Sequence, residues 1–187
     1  MADQYNILED AVRDMYARTV WSHKIQEKQA DIYKTRYSWM ETASILCASL
    51  TAVGILSTIF TGQLWIKIAS AILSFATAFI AAYFKSFDLD ALTKTHKEVA
   101  NKLLILRNEI TYLLTAIKLK EKPIAELEDK YHELMDKANE VYRVAPITTD
   151  KAVKLAKEAL QVKGDNTFST EEIDSYLPVS LQKGDQK

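Results

Sequence analysis

Proline is missing from the first 122 of the 187 residues; the chain has three, at 123, 146 and 178, with four glycines at 54, 62, 164 and 184. A β sandwich, which turns about every 8 to 12 residues, is excluded. Glycines so placed build neither GxGxxG nor GxxxxGK[ST], which excludes folds built on a glycine-rich phosphate loop. The single cysteine, Cys47, permits no intramolecular disulfide and no cysteine metal cluster. Histidine is scarce too, at 23, 96 and 132; His132-Glu133 opens like the zinc motif HExxH, but Asp136 stands where the second histidine belongs. No glycine neighbours a serine to form a nucleophile elbow. These absences predict an almost wholly helical chain with no enzymatic activity, cofactor or metal. Opposing charges balance, 24 Lys+Arg against 25 Asp+Glu, so duplex nucleic-acid readout is not expected. The opening MADQYNILED has neither the basic nor the apolar region of a signal peptide.

Charge is also missing locally. No charged residue falls in 42–66 or in 68–84, with Lys67 alone between them. The first apolar stretch, 42–60, has 19 residues, which as a helix covers about 28 Å, close to the ~30 Å hydrocarbon core of a bilayer. Thr61-Gly62-Gln63 supplies a turn, and 64–84 a second span. The fold class expected is therefore all-α: a two-span transmembrane hairpin, continuous with a long-helix cytoplasmic coiled-coil bundle. No carboxylate sits at the membrane centre to suggest a proton relay. Aromatic residues mark the interfaces: Tyr37 and Trp39 before the first span, Phe60 and Trp65 at the turn, Tyr83, Phe84 and Phe87 after the second. Lys28, Lys34, Arg36, Lys85, Lys94 and Lys97 flank the hairpin, against Lys67 at its turn, so the positive-inside rule places both termini in the cytoplasm. On the second span Ile68, Ile72, Phe75, Phe79 and Tyr83 form a bulky stripe suited to lipid, and Ser70, Ser74, Thr77, Ala78 and Ala81 are small residues suited to helix packing.

Outside the hairpin, residues 1–41 predict a cytoplasmic helix with Leu8, Val12, Met15, Trp21, Ile25, Ile32 and Trp39 at helical spacing. Residues 85–145 predict a helical hairpin. Its first seam is Leu89, Leu92, His96, Val99, Leu103, Leu106, Ile110, Leu113 and Ile117; its second is Ile124, Leu127, Tyr131, Leu134, Ala138, Val141 and Ala145. With no breaker between Leu64 and Lys122, the second span is expected to run straight into the first seam, and Pro123 to be the first residue of the next helix. Two short helices follow in 146–178, capped by Thr149 or Asp150 and by Ser169 with Glu172, and 179–187 reads as a disordered tail. His96 on the seam is expected to specify register or oligomer state, against the alternatives of a pH switch or a ligand contact.

Ser44, Ala48, Thr51, Ile55 and Thr58 fall on one helical face through the membrane. Such hydroxyls either pack and bond back to their own helix or line a water-filled path. Two spans cannot enclose a pore, so conduction requires a homo-oligomer of four or more copies, with Glu41 and Lys67 at its two mouths. The juxtamembrane residues Lys24, Lys28, Tyr33 and Arg36, with His96 and Arg107, are candidates for an anionic ligand such as a nucleotide; the plainer reading is a solvated face beside anionic lipid headgroups. The rival to a pore is a non-conducting membrane scaffold that recruits partners through its coiled-coil helices.

The plan of long helix, two spans and long helix over residues 10–145 resembles the SLATT family, two-transmembrane effectors associated with bacterial nucleotide-signalling conflict systems. After the second span, His96, Ala100 and the run Leu103-Leu104-Ile105-Leu106-Arg107-Asn108-Glu109-Ile110 look like that family's His, small residue and Leu-Arg-x-Glu-Ile pattern. The resemblance implies a multi-pass protein of the bacterial inner membrane that oligomerises and perforates or depolarises it in antiphage defence. It also implies gating by a nucleotide or oligonucleotide from a neighbouring nucleotidyltransferase, with no catalytic residues.

Overall fold

The computed structural model describes residues 2–165 and 167–183, without the side chains of 2, 3, 58–61 and 85. The described residues form helices and no strand: α1 (Ala2–Thr61), α2 (Leu64–Ser86), α3 (Leu89–Leu119), α4 (Ile124–Val144), α5 (Asp150–Gln161) and α6 (Thr170–Tyr176), then a 3₁₀ turn at Val179–Leu181. With no proline to interrupt it, α1 runs unbroken for 60 residues, about 90 Å at the rise of an α-helix. It carries the cytoplasmic amphipathic segment and the first apolar span as one rod.

Everything else is arranged along that rod. The Tyr5 hydroxyl donates to the Lys122 carbonyl at 3.0 Å. Tyr33 stacks on His96 at 5.5 Å between ring centroids, Tyr37 meets Phe84 at 5.3 Å, and Gly54 lies against Ser70. Numbers rising along α1 meet numbers falling along α3 and α2, so both pack antiparallel to it. The α3 seam buries every expected member except Leu92, and adds Ala100 and Ala116. Val99, Leu103, Leu106, Ile110, Leu113, Ala116 and Ile117 of this seam form one core with Leu8, Val12 and Met15 of α1 and Leu127, Leu134 and Ala138 of α4. Each fully buried Leu or Ile contributes roughly 1.5–3 kcal/mol of transfer free energy.

Four expectations need correction. α2 and α3 are not one helix: Phe87 is extended (φ −127°, ψ 93°), and the Asp88 side chain accepts from the Ala91 N–H at 2.9 Å, capping α3. A carboxylate offering itself to orphan N–H groups starts a helix even without Gly or Pro. Pro123 caps α4 from outside, at ψ 145°, and the helix starts at Ile124. The tail is ordered through Lys183, whose N–H donates to the Asp174 carboxylate; residues 184–187 lie outside the described residues. The buried face of α1 does not continue from Met15 to Trp21, Ile25, Ile32 and Trp39. It passes through Thr19, His23, Gln26 and Ala30, and Trp39 is 73% exposed.

In the hairpin, Gly62 at φ 62° makes the turn. The half-buried or buried positions include Ser44, Cys47, Thr51 and Gly54 on α1, and Ser70, Leu73, Thr77 and Ile80 on α2. Both sets alternate steps of three and four, the signature of a left-handed helix pair. Ser74, Ala78 and Ala81 lie outside this interface and are exposed, as are Ile68, Ile72, Phe75 and Phe79. A Cβ on Gly54 would collide with Ser70 Oγ and stand 3.2 Å from Ser70 Cβ, so glycine is what permits the close approach. Gly54→Leu is expected to force the spans apart and destabilise the detergent-solubilised protein by about 1–3 kcal/mol. A thermal-unfolding comparison with wild type checks this; Gly54→Ala, which a turn of the Ser70 hydroxyl can accommodate, should cost less.

Candidate functional site

Below the hairpin the interior changes character. Where α1 passes between α3 and α5, its buried residues are Thr19, His23, Lys24, Gln26, Gln29 and Ala30, and α3 contributes His96. His96 Nδ1 lies 2.5 Å from Gln26 Oε1; the amide oxygen can only accept, so the imidazole carries its proton on Nδ1. Gln26 Nε2 in turn donates to the Pro146 carbonyl at 3.3 Å. Three segments are thereby joined through two side chains. Gln29 Oε1 accepts from both the N–H and the hydroxyl of Thr149, each at 2.8 Å, while that hydroxyl accepts from the Ala152 N–H and so caps α5.

Charge in the layer is paired. Lys24 Nζ donates to Glu27 at 2.8 Å and to Asp165 at 3.4 Å. Burial opposes the Lys24 ammonium, but the hydrogen bonds and charges of Glu27 and Asp165 outweigh it and raise its pKa. Burial likewise works against the Glu27 carboxylate, and Lys24, with help from His23 and Lys97, brings its pKa down. Burial lowers the pKa of His96. It lowers that of His23 too, opposed by Glu27 and reinforced by Arg107, Lys24 and Lys97. Both imidazoles are neutral at pH 7. His23 Nδ1 and Gln29 Nε2 are buried without a hydrogen-bond partner.

The ligand candidates are spread along α1, with Lys24 and Arg36 about 18 Å apart at the rise of an α-helix, and do not share a cavity. Lys24, Tyr33 and His96 are engaged internally, and Lys28 stands 3.9 Å from Asp31. Arg107 is half-buried. Arg36 is exposed, with its guanidinium 5.2 Å from the centre of the Tyr83 ring. It lines an open groove of about 480 Å³ with Asp31, Ile32, Thr35, Lys151 and Leu155, between α1 and α5. Sequence reasoning missed Gln26, Gln29 and Thr149 as a connected set, because glutamine carries no periodic hydrophobic signal. Continuing the three-four alternation of Leu8, Val12 and Met15 reaches Thr19, Ser22, Gln26 and Gln29, two of the three residues of that set. Among the described residues no group of three or more His, Cys, Asp or Glu side chains is placed to hold a metal.

The membrane candidates separate. Ser44 and Thr51 are half-buried, and Thr51 donates to the Cys47 carbonyl at 2.7 Å. Ala48 and Ile55 are exposed, and the Thr58 side chain lies outside the described residues. Glu41 and Lys67, at opposite ends of the hairpin, are both exposed. Both spans are long and apolar enough to cross a bilayer, with almost none of their apolar windows buried within the chain.

Long exposed apolar helices joined by a tight turn, above a polar-cored helical bundle, give a helical protein with two segments long and apolar enough to span a membrane. Residues 8–172 match the SMODS and SLOG-associating 2TM effector domain family 4, and the chain belongs to this SLATT family, whose domains are membrane effectors of nucleotide-signalling defence systems. Neither the curated proteins nor the solved structures yield a match.

The depressed histidines set a pH dependence. An unfolded imidazole titrates near ~6.5. Below that pH the unfolded chain takes up protons that the fold resists, so stability is highest above pH ~6.5 and falls as the pH drops toward the folded values. Melting curves at pH 7.5 and 5.5 should show the lower midpoint at 5.5, with a slope of at most about 1.4 kcal/mol per pH unit per histidine. His96→Gln should flatten the profile; an unchanged midpoint in wild type would refute the assignment.

Proposed function

We propose that the protein assembles in the bacterial inner membrane, both termini cytoplasmic, as a homo-oligomer of four or more copies enclosing a gated ion path. Opening would depolarise or kill an infected cell. The signal is a nucleotide or oligonucleotide from a partner nucleotidyltransferase, and the chain itself performs no catalytic step. The observation that carries the reading is the unbroken α1: one helix holds both the polar layer around His23–Gln29 and the first span, so a change at the layer tilts the span. Coupling of this kind has no obvious use in an inert anchor.

The hairpin adds support. Two helices leave most of their surface uncovered, and Ala48 and Ile55 on one side and Ser74, Ala78 and Ala81 on another face outward, where neighbouring copies or lipid would meet them. For the ligand, the groove between α1 and α5 brings Arg36 and Lys151 to its rim, and neither has an ion pair among the described residues. Phosphate oxygens match such a rim.

Reconstituted in liposomes, the wild-type protein is expected to conduct ions as a discrete oligomer, and Thr51→Leu and Ala48→Phe to reduce or alter the flux several-fold. A silent monomer or dimer, or flux indifferent to both substitutions, would favour the scaffold. Arg36→Glu together with Lys151→Glu should abolish any response to the nucleotide signal while leaving oligomer size unchanged.

A further inference from the structure

α5 is attached to α1 by a different kind of contact from the one that holds α3. Its fully buried side chains are Ala152, Ala156 and Ala159, single methyls where α3 offers leucine and isoleucine, while its larger apolar residues Val153, Leu155 and Leu160 are only half-buried. Its position is fixed by polar clasps at its two ends. Gln26 holds the Pro146 carbonyl and Gln29 holds Thr149 ahead of the helix; beyond it, Lys24 holds Asp165. Each end also leads into non-helical chain, 145–149 on one side and, on the other, a stretch with Gly164 at φ 67°. These joints let α5 move without unwinding α4 or α6.

The docked state is incompletely satisfied. Gln29, fully buried beneath the Thr149 clasp, leaves its Nε2 unpaired, and lifting α5 would return that group to water, offsetting part of the free energy that undocking requires. An element with a small apolar footprint, polar anchors and an orphan donor beneath it belongs to the low-stability end of a fold. The stretch it grips, residues 24–36, is continuous with the first span.

We infer that α5 with its 145–149 leader is a strap that detaches as a unit while α1, α3 and α4 stay packed, and that when docked it restrains the tilt of α1 where this helix enters the hairpin. As a restraint on gating it rests on the pore reading; as a detachable element it stands apart from it.

Hydrogen exchange on the full chain in lipid nanodiscs tests detachment. The amides of 153–161 are expected to exchange together at least about ten-fold faster than those of 103–117, and Asp165→Asn or Thr149→Val to raise the α5 rate further with 103–117 unchanged. Exchange of α5 at the rate of 103–117 would overturn the strap. Restraint is read from spin labels at exposed Lys34 and Lys102 in a Cys47→Ala background: the distance distribution should broaden in either variant. Release of α5 with an unchanged distribution would overturn the restraint. Asp165→Asn, at a partly exposed position, serves if Thr149→Val fails to fold. Neither readout needs conduction, so a protein that never conducts defeats the pore reading and leaves the strap standing on its own result.

Discussion

A single helix that must satisfy two solvents governs this structure. α1 enters lipid without a break, so its lower part has to meet the rules of a water-soluble bundle and its upper part those of a bilayer, in one rigid register. The antiparallel partners follow from that demand. α3 covers the lower apolar face, α2 lies along the upper one, and the joint between them, at Phe87–Asp88, falls where the chain leaves the apolar segment. The second span therefore reaches the bundle through a capped break, and mechanical continuity belongs to the first helix alone.

Between the two regimes sits the polar layer. Glutamine and histidine side chains there join α1, α3 and the approach to α5 through directed hydrogen bonds, where a leucine core would pack without specifying which partner goes where. Such a layer contributes less to stability than apolar packing and more to register. His23 Nδ1 and Gln29 Nε2 are left unpaired within it, a local cost of burying polar groups. The family match, a 2TM effector domain over 8–172, takes in the whole of this layer together with both apolar segments.

Much of this was legible in the residues. The charge gaps gave the hairpin, the three-four spacing gave the buried faces of α3 and α4, and Ser169 with Glu172 gave a capping box present in full. The errors share a cause. Trp21, Ile25, Ile32 and Trp39 drew attention as apolar residues, whereas the register set by Leu8, Val12 and Met15 carries polar residues inward once α3 fixes which side faces in. A single aspartate, read as part of a helix, starts one instead.

Composition and periodicity alone determined that the chain is helical, that two segments suit a bilayer, and which faces of α3 and α4 are buried, because hydrophobic burial is a property each segment carries with it. Which residues of α1 touch which partner depended on the assembled bundle. The same holds for the division of Ser44 and Thr51 from Ala48 and Ile55, the close approach at Gly54, and the clasping of α5 by Gln29 and Lys24. Hydrogen bonds and ion pairs between segments 120 or 141 residues apart leave no periodic trace in a sequence. They exist only once nonpolar packing has brought the groups within reach.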